Sequence, residues 1–226
     1  MTGHLKIGAV PSTDLATAFR EALPHTTHHA AIDRIGTELV ARWSEPHRHY
    51  HTLEHLAFML SVIDAADFDG TRKPARAAAW FHDAVYDPTR VDNEMRSAEL
   101  AAEKLGGLGL GRDKIAEVVR LVYLTATHHV EDGDANGALV ADADLAILGS
   151  DPDTYRAYAK AVREEYKHVP DDLFRSGRVG VLKKILELPA IYHLSAHRTT
   201  WEARARTNIE MEIIALRASA GAARHL

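Results

Sequence analysis

Apolar side chains along the chain return every three or four residues, and no stretch keeps the two-residue alternation of a half-buried strand. The first run, Leu15, Ala18, Phe19 and Leu23, predicts a helix opened by Ser12 and closed by Pro24. A second helix follows through Ile32, Ile35, Leu39, Val40 and Trp43. SEPHRHYHT, with its proline, reads as a turn, after which Leu53, Leu56, Ala57, Leu60 and Ile63 line a helix that breaks near Asp69-Gly70. Pro74 suits the first turn of the next helix, ARAAAWFHDAVY, which is apolar on nearly every side and therefore predicted to be central. Asp92 or Asn93 caps NEMRSAELAAEKL, which stops at Gly106-Gly107. Residues 112–129 predict another helix and ALVADADLAILG a short one. Asp151-Pro152 opens a helix with Tyr155, Tyr158, Val162 and Tyr166 on one stripe, and two more helices span roughly 171–188 and 199–219. The expected fold is all-α, a single helical bundle domain over residues 1–226. Its core lies at about 30–167, with C-terminal helices at about 171–219 packing on it.

Composition narrows the chemistry. Hydrophobic residues are 46% of the 226 and charged residues 26%, enough apolar material for a sizeable core. Cysteine is absent, so neither a disulfide nor a thiolate site is possible, and any metal must be held by His, Asp or Glu. With 27 Lys and Arg against 32 Asp and Glu, the formal net charge of −5 argues against duplex nucleic acid or an anionic membrane as partner. A small phosphorylated substrate stays compatible, because a bound dication brings its own positive charge. No apolar run reaches the roughly 18 residues of a membrane span, and MTGHLKIGAV lacks the apolar core of a signal peptide. A cytoplasmic protein of unspecified oligomeric state is expected.

Against this background His82 and Asp83 stand out, because polar groups at the end of an apolar helix are costly unless paired or bound to something. Upstream, His51 and His55 are four residues apart, the spacing that stacks two side chains on one helix face. Imidazole and carboxylate are both good ligands for a divalent ion. A third carboxylate from ADADL at 141–145 would complete a centre suited to phosphate-ester hydrolysis.

Taken together, YHTLEH (50–55), WFHDAVYDP (80–88), NEMRSA (93–98), TATH (125–128) and DADLAILG (142–149) resemble the HD superfamily of metal-dependent phosphohydrolases. VREEY (162–166), F-x-x-GR (174–178) and AR-x-N-x-x-x-E (205–212) extend the resemblance over most of the chain. The resemblance implies metal ligation by His55, His82, Asp83 and Asp144, with Asp142 the competitor for the last position. The metal would be Mn, Fe, Co, Ni, Zn or Mg.

Distant relatives, the cyclic-nucleotide phosphodiesterases, suggest that His51 faces the leaving group as a proton donor, a role suited to a side chain that titrates near neutrality. Asp87 and Glu94 fall where related enzymes carry acidic water-orienting groups, although either also suits a cap or loop. His128 is a candidate contact to phosphate or a second metal, with a solvated helix end as the plain alternative. Arg48, Arg178 and Arg204 are candidate phosphate clamps by virtue of their forked donors, against ordinary ion pairing. The function expected is hydrolysis of a phosphate ester in a small phosphorylated molecule or nucleotide. The alternative is a noncatalytic regulatory module that keeps the metal site to sense a nucleotide.

Overall fold

A computed structural model of the chain describes residues 19–23, 28–66 and 72–222, the side chains of residues 72 and 219–222 excepted. Among the described residues the regular structure is helical and no strand occurs, so the all-α expectation holds. None of the described helices is long and apolar enough to cross a membrane. The chain divides into two compact units, Met1–Ala143 and Asp144–Leu226.

The first unit contains α1 (His29–Trp43), α2 (Leu53–Ala65), α3 (Arg72–Phe81), α4 (Asn93–Gly106), α5 (Arg112–Leu124) and nearly all of α6 (Ala135–Asp144). Phe19 to Ala22 are also helical, while the rest of the predicted first helix and the break near Asp69-Gly70 lie outside the described residues. As its composition predicts, α3 is central: it packs on α2, α4 and α5 and buries Ala75, Ala77, Ala78, Ala79, Trp80 and Phe81. Alanines let neighbouring backbones come close, and Trp80 and Phe81 fill the remaining space against Phe19, with ring centroids at 5.4 and 6.0 Å.

Helix α6 has no amphipathic stripe; residues 137–143 are all buried. That is how a helix apolar all round behaves. Its start is pinned by Asp134, whose Oδ1 accepts from Gly137 N at 2.8 Å and whose carboxylate pairs with Arg120 of α5. Burial opposes ionisation of Asp134, but Arg120 and the Gly137 N–H hold its carboxyl below the usual range.

The second unit holds a 3₁₀ turn (Leu145–Gly149), α7 (Pro152–Glu165), α8 (Asp171–Glu187) and α9 (Ser195–Ala222). Asp151 caps α7 through Asp153 N and Thr154 N, the signal read from Asp-Pro. Helix α9 packs on the 3₁₀ turn and on α8. Asn208 Nδ2 donates to Leu148 O and Ser150 O, both at 2.9 Å, and Tyr192 Oη donates to Leu145 O at 3.0 Å. A Cβ on Gly149 would sit 2.4 Å from Trp201 Cβ, so only glycine allows this approach.

Candidate metal centre

Three helix ends build the site. The first is the start of α2, where Thr52 is extended and its side chain accepts from Glu54 N at 3.3 Å. This cap puts His55 on the first turn but leaves His51 in the preceding bend. The two histidines are therefore not stacked on one helix, as their spacing predicts, although their rings remain 5.9 Å apart. The second is the end of α3. The helix stops at Phe81, and His82 and Asp83 occupy the following turn instead of the helix body. The third is the last residue of α6, Asp144, placed by a helix whose other residues all belong to the first unit.

These ends bring His55, His82 and Asp144 into one cluster, each offering a ligand atom, with the three atoms within 4.8 Å of one another. His55 Nε2 lies 3.3 Å from His82 Nε2. Asp83 Oδ2 lies 3.1 Å from that same His82 nitrogen and 3.9 Å from His51 Nε2. His82 Nδ1 is 2.9 Å from Ala79 O; a carbonyl only accepts, so the proton is assigned to Nδ1 and Nε2 keeps its lone pair in the neutral ring. A backbone carbonyl behind a ligating histidine is the usual device for fixing tautomer and orientation. Both rings are buried, and so is Asp83. Two imidazole nitrogens and a carboxylate oxygen at this spacing could serve as electron-pair donors to one shared cation. The donor set therefore fits a divalent ion.

Of the two candidate aspartates, it is Asp144 that joins the histidines. Asp142 is fully buried. Two residues along a helix are about 200° of rotation, so the pair cannot share a face. His51 is half-buried, with its side chain 22% exposed at the edge of the cluster and its ring 4.3 Å from that of Tyr86.

The other expected site residues occupy different settings. Asp87 Oδ1 accepts from Thr89 N and Thr89 Oγ1 in a local turn; these bonds, the hydroxyl's first, hold its carboxyl below the ordinary range. Glu94 stands in the first turn of α4, where a carboxylate favours the helix dipole. His128 follows α5, which ends at Leu124 instead of 129, and adopts a left-handed φ of 53° while its N–H bonds Leu124 O.

Arg48 has no exposed side-chain surface, and its donors meet Glu45 and main-chain carbonyls instead of an open face. Arg178, in the second unit, is held by Glu212 at 2.8 Å and Tyr158 Oη at 3.0 Å. Arg204 Nη1 donates to Gly149 O at 3.3 Å.

Residues that the pattern had assigned only to packing or capping support the centre. Trp43 lies tilted beside both candidate ligand rings, 6.2 Å from His55 and 5.4 Å from His82, and its Nε1 donates to Trp80 O at 3.0 Å. Asn93 Oδ1 accepts from Asp87 N while its Nδ2 donates to Asp87 O, and Ser97 Oγ does the same for Val85. These two side chains of NEMRSA thus satisfy the irregular backbone after His82-Asp83, which has no ladder of its own. The visible signal was two polar residues four apart on the inward face of an amphipathic helix, Asn93 and Ser97.

No family model, curated protein or solved structure matches the chain.

Proposed function

We propose that the chain is a metal-dependent phosphohydrolase of the HD type, acting on a small phosphorylated molecule such as a nucleotide. One observation carries this reading: His55 Nε2 and His82 Nε2, from separate sequence motifs, lie 3.3 Å apart in a cluster that includes Asp144. His55, His82, Asp83 and Asp144 would hold the ion. When bound, such an ion supplies Lewis acidity toward a hydrolytic water and toward phosphoryl oxygens.

The chain's own groups do the rest. The Ala79 carbonyl keeps His82 presenting Nε2. Trp43, buried, and Tyr50, half-buried, flank the His55 ring and limit water around it. His51, at the accessible edge and 3.9 Å from Asp83 Oδ2, is placed to be oriented by that carboxylate and to pass a proton to the departing oxygen. Its counterpart in charge, Asp87, stays ionised and suits orientation of water better than proton donation.

The test is release of phosphate from a panel of nucleotides and small phosphate esters with Mn, Ni, Co or Mg, run beside Asp83→Ala. Metal-dependent release that Asp83→Ala abolishes is expected. Nucleotide binding with no release under any metal would favour the sensing module and defeat the hydrolase reading.

A further inference from the structure

We propose that Arg48 is a positioning residue for the metal centre, tying the turn that bears His51 to the turn that bears His82 and Asp83; the inference rests on the metal reading above. Its Nη1 donates to His51 O at 3.0 Å and to Asp83 O at 2.9 Å, so the two hydrogens of one nitrogen join two separate motifs. Nε donates to Glu45 Oε2 at 3.1 Å, and Nη2 points toward Ala84 O at 3.5 Å. The guanidinium carbon sits 5.3 Å from the ring centres of both Trp43 and Tyr86. Trp43 packs on the ligand rings and Tyr86 on His51, so the same cation also fixes the aromatic frame of the site.

A buried guanidinium is tolerated only where its donors are met, and here carbonyl oxygens and one carboxylate meet them. The carbonyls belong to segments without regular structure, whose acceptors need partners. Lysine would carry the charge without the fork: one ammonium cannot reach Glu45 and both carbonyls while lying flat between two rings. Loss of the tether frees the His82-Asp83 turn from the α2 entrance by a fraction of an ångström, which is enough to loosen a metal site.

Cobalt(II) is the probe, because its visible absorption reports coordination geometry as well as occupancy. The full chain, Arg48→Lys and Glu45→Gln are titrated with Co(II) by calorimetry and absorption, alongside circular dichroism. Arg48→Lys is expected to bind Co(II) about 10–100-fold more weakly, with an altered visible spectrum, as for other residues that orient metal ligands. Glu45→Gln, which keeps an acceptor for the guanidinium but removes the carboxylate charge that holds it, should lose several-fold. A folded Arg48→Lys with wild-type affinity and spectrum would overturn the positioning role while leaving the metal centre intact. Should Arg48→Lys fail to fold, Glu45→Gln decides: weakened binding supports the role, and wild-type binding overturns it. If the wild-type chain binds no Co(II), Mn(II) or Ni(II), the metal reading fails, and this inference with it.

Discussion

Two clusters of polar side chains differ in kind: one pairs opposite charges within the chain, and the other is a set of groups that could hold a metal ion. In the second unit Glu212 accepts from Tyr155 Oη at 2.6 Å and from Arg178 Nε at 2.8 Å, while Arg178 Nη2 also donates to Tyr158 Oη. Every charge there has its opposite, and the set needs nothing further. In the other cluster His55, His82 and Asp144 bring ligand atoms within 4.8 Å of one another, and Asp83 Oδ2 lies 3.1 Å from His82 Nε2. Balanced networks hold a fold together, whereas two imidazoles and a carboxylate at this spacing could hold a metal ion.

The sharpest way to break this contrast is to remove one member from each cluster. His55→Ala or His82→Ala should lower metal affinity by more than about 100-fold and abolish any metal-dependent phosphate release, since each removes a ligand outright. Calorimetric titration of each variant checks this. Unchanged affinity would mean that these groups serve packing alone.

In the second unit the expectation is reversed: stability carries the effect. Glu212→Ala leaves the half-buried Arg178 without its carboxylate and should cost about 2–3 kcal/mol in denaturant unfolding, below the cost of breaking a fully buried pair. Replacing both partners with apolar residues of similar size should restore most of that loss. If the single and double variants are equally unstable, the charge balance is not what holds the network.

A smaller, pH-dependent effect sharpens the comparison further. Burial first, and then the Glu212 carboxylate, push the Tyr155 hydroxyl well above its ordinary range. A folded-state value raised above the unfolded one gives stability that is complete below about pH 10 and declines as pH rises beyond it. Stability of the wild type should therefore fall above about pH 10 more steeply than that of Tyr155→Phe, as measured by urea midpoints across the alkaline range. Parallel curves would remove Tyr155 from the network's energetics.

The helical repeat, the absence of strand alternation and the central position of α3 were legible in the residues, because burial of an apolar face depends mainly on local periodicity. So were the types of ligand, since a chain without cysteine has only imidazole and carboxylate to offer. Periodicity could not say that Thr52 begins α2 one residue too late to include His51, or that α3 releases the chain at Phe81. Both depend on caps and on tertiary bonds to the turn.

Arg48 shows the limit most clearly. Its sequence context suggested a clamp for phosphate, and only the folded chain reveals that its donors face three backbone carbonyls and a glutamate. The resemblance favoured Asp144 over Asp142, and Asp144 is the one that clusters with His55 and His82; residues two apart on a helix point in different directions. Sequence determined which chemistry was available and on which elements. Convergence of residues 55, 82 and 144 was decided by tertiary structure alone, because distances between segments are set by packing and by bonds to irregular backbone, neither of which leaves a period in the chain.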